Sequence, residues 1–535
     1  MLVFRDGREH VSGPRLLHDF LGVLRRAASN PTYNRDDIPD ALLRAGELEC
    51  ALADAGSAAA ADMARVTDTL AAALVSHARA DHCARLERLL IPDTLTISAA
   101  EGFAYYALHP LDYAELARRI PLRAESVVLV GIRSIGATLS AVVLAALRQR
   151  GARAARITVR PTGHPFNRTL EFTPEQRAWV AKHRDAAAEF WVVDEGPGLS
   201  GSSFLSVGEA LLEAGVPAER ITFLGSGKPA HAALRATNAA ARWQRFATYV
   251  VSSGSRIPPE APTNISAGQW RERFLPAQAD WPASWTQFER LKYLSEDEER
   301  LFKFEGLGRF GAEALARAQL LSDAHFGPAA RAEGDGFLGY PVLNARSLTL
   351  AGLSEHVLDH LARYCAFRRE SFATKREPAD LAHMLSTNLH EEFGEEVDAD
   401  LRVEKLIITD GRMHPHEWLL NGAGEIVKMD ALSHGDDHFY PGPTDIAWDL
   451  AGAMVEWGMD AAGRNFFLRQ YQRWSGDDPR PRLPGFLLAY TMFRVGYCRM
   501  AAEALRGTEE EPRLQRDYHR YRAFALRYLA QPVAA

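Results

Sequence analysis

Four apolar residues in succession, Phe190, Trp191, Val192 and Val193, run directly into two carboxylates, Asp194 and Glu195. A run this short and this apolar reads as a buried strand. Residues 196–203 then supply only Gly, Pro, Leu and Ser, after which Phe204, Val207, Leu211 and Leu212 recur at helical spacing up to Gly215. A strand that passes through a small-residue loop into a helix constrains the chain to an α/β layer arrangement, with a ligand crevice at the carboxyl end of the strand. Small residues let backbone N–H groups wrap a phosphate at a helix N-terminus, where the dipole also favours the anion. Adjacent carboxylates suit a vicinal diol, because each accepts hydrogen bonds from hydroxyls. Together they describe a ribose 5-phosphate site; the alternative is a plain strand-to-helix turn with two solvated carboxylates.

The surrounding sequence repeats the alternation. Residues 126–130 read as a strand, 137–150 as a helix, 155–159 as a strand and 221–224 as another, which implies a parallel sheet covered on both faces. Residues 1–90 read as helical, with an Ala- and Leu-rich stretch from Ala51 to Ala80 and a break at residues 30–34. A Pro-containing stretch, 256–285, reads as a linker. The expected organisation is therefore a helical region 1–90, a parallel-sheet domain 91–255, a linker 256–285 and a different domain 286–535. With 535 residues the chain exceeds what one core supports. A net charge of −7 argues against nucleic acid as a partner by bulk electrostatics. Cys50, Cys83, Cys365 and Cys498 lack CxxC spacing and read as buried thiols of a cytoplasmic protein. The first residues do not form a signal peptide, and no apolar run approaches membrane-spanning length.

The segment 190–204 resembles the phosphoribosyl-pyrophosphate motif of type I phosphoribosyltransferases. That resemblance implies that Asp194 and Glu195 hold the ribose hydroxyls, while Gly198, Ser200, Gly201, Ser202 and Ser203 cradle the 5′-phosphate. Residues 131–140 resemble the same family's pyrophosphate loop, so Ser134, Gly136 and Arg133 would hold the diphosphate; Arg133 reads equally as a surface cation at a turn. The loop 160–169, with Arg160, His164 and Arg168, is similar to the mobile loop that closes over the substrate. Phosphoribosyl transfer consists of holding diphosphate with Mg²⁺ and cations while an acceptor is positioned. Tyr105, Tyr106 and His109 are candidates to stack on an acceptor base, or core residues.

The second domain is similar in motif order to the aminoglycoside phosphotransferase and choline kinase group. Residues 301–310, a hinge-like strand at 339–346, the segment 410–420, the strand ending at Asp430 and the helix opening at residue 442 carry that order. The resemblance implies a kinase-like, two-lobed domain in which Lys303 reaches nucleotide phosphates, Asp430 and Glu417 hold Mg²⁺, and Asp445 and Asp449 brace the loop. Two positions depart from it: Arg412 stands where the catalytic aspartate belongs and Glu417 where the metal-binding asparagine belongs. An arginine cannot take a proton from an attacking hydroxyl. The domain is thus a nucleotide-handling enzyme or a scaffold.

The expectation from sequence is a cytoplasmic multidomain α/β and α+β chain whose chemistry is Mg²⁺-dependent transfer from phosphoribosyl pyrophosphate to an unidentified acceptor. One alternative is a small-molecule phosphotransferase, using ATP, whose first half senses a ribonucleotide. The other is a regulator that binds phosphoribosyl pyrophosphate without catalysis.

Overall fold

The computed structural model describes residues 1–29, 37–77, 89–198, 200–228, 234–251 and 256–530. The chain divides into two compact units, one made of Met1–Gly7, Pro258–Glu305 and Phe310–Ala535, the other of Arg8–Ile257 with Gly306–Arg309.

The unit around Arg8–Ile257 is built on a five-stranded parallel sheet. Its strands stand in the order Arg153–Val159, Ser126–Ile132, Glu189–Val193, Ile221–Gly225 and Ala247–Val250. In chain order this is second, first, third, fourth, fifth. The order reverses between Ser126–Ile132 and Glu189–Val193, and a reversal of that kind opens a crevice at the carboxyl ends of the two strands. Every residue of Glu189–Val193 is buried, as expected of a central parallel strand covered on both faces. Helix Ile135–Gln149 begins at the crevice and is buried along almost its whole length, because helices Asp37–Asp54 and Ala60–Ser76 pack over it.

Two glycines set the helix-to-strand distance. A Cβ on Gly136 would lie 2.5 Å from the Val193 carbonyl oxygen, and one on Gly131 would lie 2.5 Å from Ser140 Oγ. The pair thus serves close packing of helix on sheet, a requirement that accounts for Gly136 apart from its expected part in holding diphosphate.

The N-terminal region is not purely helical. Arg8–Ser12 pairs antiparallel with Thr94–Ser98. Within the Ala- and Leu-rich stretch, helix Asp37–Asp54 ends and helix Ala60–Ser76 begins, because Gly56 turns the chain at φ +65° and Ser57 N–H bonds back to the Leu52 carbonyl. The expected break at residues 30–34, and Cys83, lie outside the described residues. Cys50, Cys365 and Cys498 are unpaired and buried.

The other unit has a five-stranded antiparallel sheet ordered Thr263–Asn264, Lys292–Leu294, Arg300–Phe304, Phe337–Pro341, Arg331–Gly334. A three-stranded sheet follows, Ala345–Ser347, Trp418–Asn421 and Ile426–Lys428. The rest is helical, with Glu355–Ser371, Leu381–Phe393, Ala447–Glu456, Ala461–Ser475, Leu483–Ala504 and Glu510–Leu529 around one apolar core. Residues 256–285 do not behave as a linker. Thr263–Asn264 is an edge strand of the sheet, Ser266 bonds both backbone groups of Lys292, and buried Arg271 pairs with Glu510 at 2.5 Å. Among the described residues no helix is long and apolar enough to cross a membrane.

Candidate functional site

In the Pro258–Ala535 unit, alternation on strand Arg300–Phe304 turns Lys303 inward, where it is 4% exposed. A buried ammonium needs paired charge, and Lys303 finds it in Asp430 and in Glu305 at 2.8 Å. Burial alone would lower the lysine pKa; Asp430 and Glu305 reverse the sign and raise it. Burial would likewise raise Asp430, but Lys303 and then His434 hold its carboxyl well below the usual range. Glu305 is itself fixed by Tyr340 Oη at 3.2 Å and Ser433 Oγ at 3.0 Å. Asp430 occupies the left-handed region at φ +56°, a conformation that side chains other than Gly adopt at a cost and that clusters at ligand sites.

The loop before strand Trp418–Asn421 is braced from helix Ala447–Glu456. Asp449 accepts the Asp410 N–H at 2.8 Å and the Gly411 N–H at 3.0 Å. Asp445 accepts the N–H groups of Glu404 and Ala447 at 2.9 Å and pairs with Arg482 at 2.9 Å. Thus held, the loop places Arg412 3.0 Å from Glu417 and 3.3 Å from His434 Nε2. Lys428 also reaches Glu417, at 2.9 Å. Burial would raise Glu417, yet Arg412 and Lys428 bring it down to about 2. Glu417 is therefore an ion-pair partner, which leaves its expected part in holding Mg²⁺ without an open oxygen pair. Among the described residues no group of three His, Cys, Asp or Glu side chains is placed to hold a metal ion. Of the expected pair, Asp430 lines both of the cavities beside it and Glu417 only the smaller. One carboxylate suffices for Mg²⁺ only when substrate phosphates complete the shell.

Two cavities meet at these residues. The smaller, about 180 Å³, runs past Leu301, Tyr340, Val342, Leu419 and Met429 and has an apolar wall. The larger, about 650 Å³, is lined by Trp270, Trp281, Trp285, Phe288 and Tyr497 together with many charged groups. Lys303, Arg412 and Asp430 line both. The cavity-lining indoles were missed from sequence because residues 256–285 read as a linker; their density in that stretch was the available signal.

In the parallel-sheet unit the structure gathers the expected residues at the crevice but commits most of them to the protein itself. Asp194 and Glu195 follow the Glu189–Val193 strand, and both backbone carbonyls accept the Tyr113 hydroxyl, at 2.6 and 3.0 Å. Glu195 Oε2 accepts the Gly102 N–H at 3.1 Å. Burial pushes Asp194 up to about 7, and burial followed by Glu101 and Asp194 pushes Glu195 up to about 8. Two permanently ionised diol acceptors are thus not what the geometry gives. Ser200 Oγ and Ser202 Oγ both donate to the Pro165 carbonyl, at 2.8 and 2.6 Å, on the hairpin Thr162–His164/Asn167–Thr169. Gly201 N–H bonds the Pro197 carbonyl at 2.7 Å, Ser203 accepts from Ser206 through its carbonyl, and Gly198 is exposed at φ +56°.

The expected diphosphate cations are also engaged. Arg133 and Arg160 converge on Asp54, at 2.9 and 2.6 Å, and the Ser134 carbonyl accepts the Cys50 thiol. Asp54 lies 79 and 106 residues away in sequence, so no local signal announced it. His164 is exposed and its Nδ1 accepts the Phe166 N–H at 3.2 Å. His109 caps helix Pro110–Arg119 by accepting the Leu111 N–H at 3.1 Å, and Tyr105 is buried, so the acceptor-stacking expectation gives way to capping and packing.

No protein-family model and no curated protein matches the chain. Among solved structures it is similar to LicA in complex with AMP, at 13% identity, covering 45% of this chain and 88% of that one with a TM-score of 0.34. It is also similar to a choline/ethanolamine kinase family protein from Mesorhizobium loti, at 14% identity over 45% of this chain and 88% of that one, TM-score 0.32. Spectinomycin phosphotransferase APH(9)-Ia, in complex with ADP and spectinomycin, matches at 14% identity over 48% and 89%, TM-score 0.29. Scores of this size leave function to be read from the residues in place.

Proposed function

We propose that the Pro258–Ala535 unit is a kinase-like domain that binds a nucleoside triphosphate such as ATP. The observation that carries this reading is the buried Lys303–Asp430 pair at the junction of an apolar cleft and a polar cavity. A purine fits the apolar cleft, and a triphosphate leaving it meets Lys303 and Arg412, which offset its charge. Mg²⁺ bound through those phosphates and Asp430 would supply further charge neutralisation. Arg412 cannot serve as general base, so transfer to a neutral hydroxyl is slow. Titration calorimetry with ATP and ADP tests the reading: saturable binding is expected in the native chain, with loss in Lys303→Met. Failure of either nucleotide to bind would defeat it.

A second reading concerns the parallel-sheet unit, as a binder of phosphoribosyl pyrophosphate or a ribonucleotide. It is favoured by the position of Asp194 and Glu195 at the reversal of strand order, where open α/β sheets take ligands. Binding there requires Pro165 to leave Ser200 and Ser202, and the ligand to displace Asp54 from Arg133 and Arg160. Titration with phosphoribosyl pyrophosphate, against Asp54→Asn and Ser202→Ala, decides it; identical null titrations in all three proteins would remove it.

A further inference from the structure

The 650 Å³ cavity is large enough for a metabolite-sized ligand. Among the described residues lining it stand seven Lys or Arg side chains against five Asp or Glu. Four of the five carboxylates are already paired within the wall, Asp430 by Lys303 among them. Glu456 accepts Tyr490 Oη at 2.7 Å and Tyr521 Oη at 2.7 Å, and pairs with Arg520 at 2.8 Å and His414 at 3.2 Å. Glu289 accepts from Trp270 Nε1 at 2.7 Å and Lys292 Nζ at 2.9 Å, and Asp437 pairs with His438. A cationic ligand would have to compete for each of them.

The donors have acceptor capacity missing. Trp285 is 4% exposed, and its indole N–H has no hydrogen-bond partner among the described residues. Arg494 Nε is in the same state: the nearest carboxylate, Glu456, is 3.8 Å away, and the guanidinium lies over the rings of Tyr497 and Tyr521 at 4.9 and 5.1 Å. Both groups can only donate, so what satisfies them must accept. An unsatisfied buried donor is costly, and an anion with several oxygens offers acceptors to both residues from the one cavity they line. Arg412 adds a second cation where this cavity meets the apolar cleft.

We propose that the larger cavity receives an organic phosphate, and that this phosphate, not an alcohol, accepts the terminal phosphoryl group of the nucleotide. The binding half stands on the cavity alone; the transfer half rests on the nucleotide reading above. A hydroxyl acceptor must lose a proton to a base, which Arg412 is not. A phosphate dianion is already ionised and needs no base; what it needs is cations to offset its repulsion with the triphosphate. In the step, a phosphate oxygen forms a bond to the γ-phosphorus and the bond from that phosphorus to the β,γ-bridging oxygen breaks. The electron pair leaves with the nucleoside diphosphate. No proton moves, and the total charge of four plus two negative units on the reactants reappears as three plus three on the products.

The experiment uses the full chain with two probes, phenyl phosphate and ribose 5-phosphate, and choline as the cationic control, first without nucleotide and then with saturating ADP. Saturable binding of a phosphate probe is expected, weakened at least tenfold in Arg494→Gln and reduced in Trp285→Phe, which keeps the ring and removes the donor. Circular dichroism and thermal melting of both variants establish that they are folded; Arg520→Gln, at a more exposed position, repeats the measurement if either is not. Preference for choline, or affinity for both phosphates unchanged in these variants, overturns the cavity assignment. Phosphorus NMR with ATP then follows transfer: a new diphosphate ester on the probe supports the step, and ATP consumed only with alcohols overturns it. ADP titration separates the two proposals, since absent ADP binding defeats the nucleotide reading and with it the transfer, while leaving the nucleotide-free binding result as it stands.

Discussion

The two units bury carboxylates at their candidate sites and do opposite things with them. Asp194 and Glu195 sit at the mouth of the parallel sheet with no salt bridge to a cation among the described residues, and burial lifts them to about 7 and about 8. Glu417 and Asp430 are as enclosed, but Arg412, Lys428, Lys303 and His434 surround them, and both stay ionised far below neutrality. Enclosure by itself favours the neutral acid; enclosure with a cation within hydrogen-bond reach favours the ion. The first site can therefore gain or lose protons near neutral pH, whereas the second holds a fixed array of charge suited to steering phosphates.

The comparison breaks most visibly at Lys303. Lys303→Met should leave Asp430 and Glu305 buried without their cation and cost roughly 3–5 kcal/mol of stability, read from urea unfolding, along with nucleotide binding. Asp430→Asn keeps the shape and removes the charge; it should weaken ATP binding by a factor corresponding to roughly 1.5–3 kcal/mol, measured by calorimetry, while Asp194→Asn leaves ATP affinity unchanged. At the crevice, Gly136→Ala pushes a methyl against the Val193 carbonyl, and thermal melting should show a loss of about 1–3 kcal/mol with no ligand present. A loss appearing only with ligand would return Gly136 to phosphate binding.

The smallest effect is the pH profile. Asp194 and Glu195 have folded-state values above their ordinary 3.8 and 4.5, so the folded chain binds more protons than the unfolded one in between. Their contribution is most favourable at low pH and is lost as pH rises through about 7 to 8. Glu417 has the opposite sign: its contribution is complete above its ordinary 4.5 and is lost as pH falls toward about 2. Urea midpoints of the Asp194→Asn, Glu195→Gln double variant should therefore be flatter than native between pH 5 and 8. An equal slope in both proteins would contradict the burial argument.

What could be read from sequence was whatever rests on local pattern. The strands at 126–130, 190–193 and 221–224 were legible because a central parallel strand is covered on both faces, and the edge strand at 155–159 from its alternation with helices; the parts expected of Lys303, Asp430, Asp445 and Asp449 came from a resemblance in motif order. Partners were not legible. Asp54 neutralises Arg133 and Arg160 from a helix far earlier in the chain, and the Pro165 carbonyl takes the hydroxyls of Ser200 and Ser202 from a separate hairpin. A residue type states what a side chain can bind, while the fold decides which acceptor arrives first. Gly131 and Gly136 teach the same point, since close helix packing and phosphate cradling both call for a missing Cβ.

The indoles around the larger cavity have an optical consequence. Of the ten tryptophans in the chain, Trp270, Trp281 and Trp285 line that one space, and the guanidinium groups of Arg271 and Arg513 lie 5.2 and 5.4 Å from the Trp281 ring. Emission from an indole responds to the charge and water beside it. Occupancy of the cavity is therefore recorded in the protein's own fluorescence, without a label, and the contribution of each ring is separable by replacing it with phenylalanine.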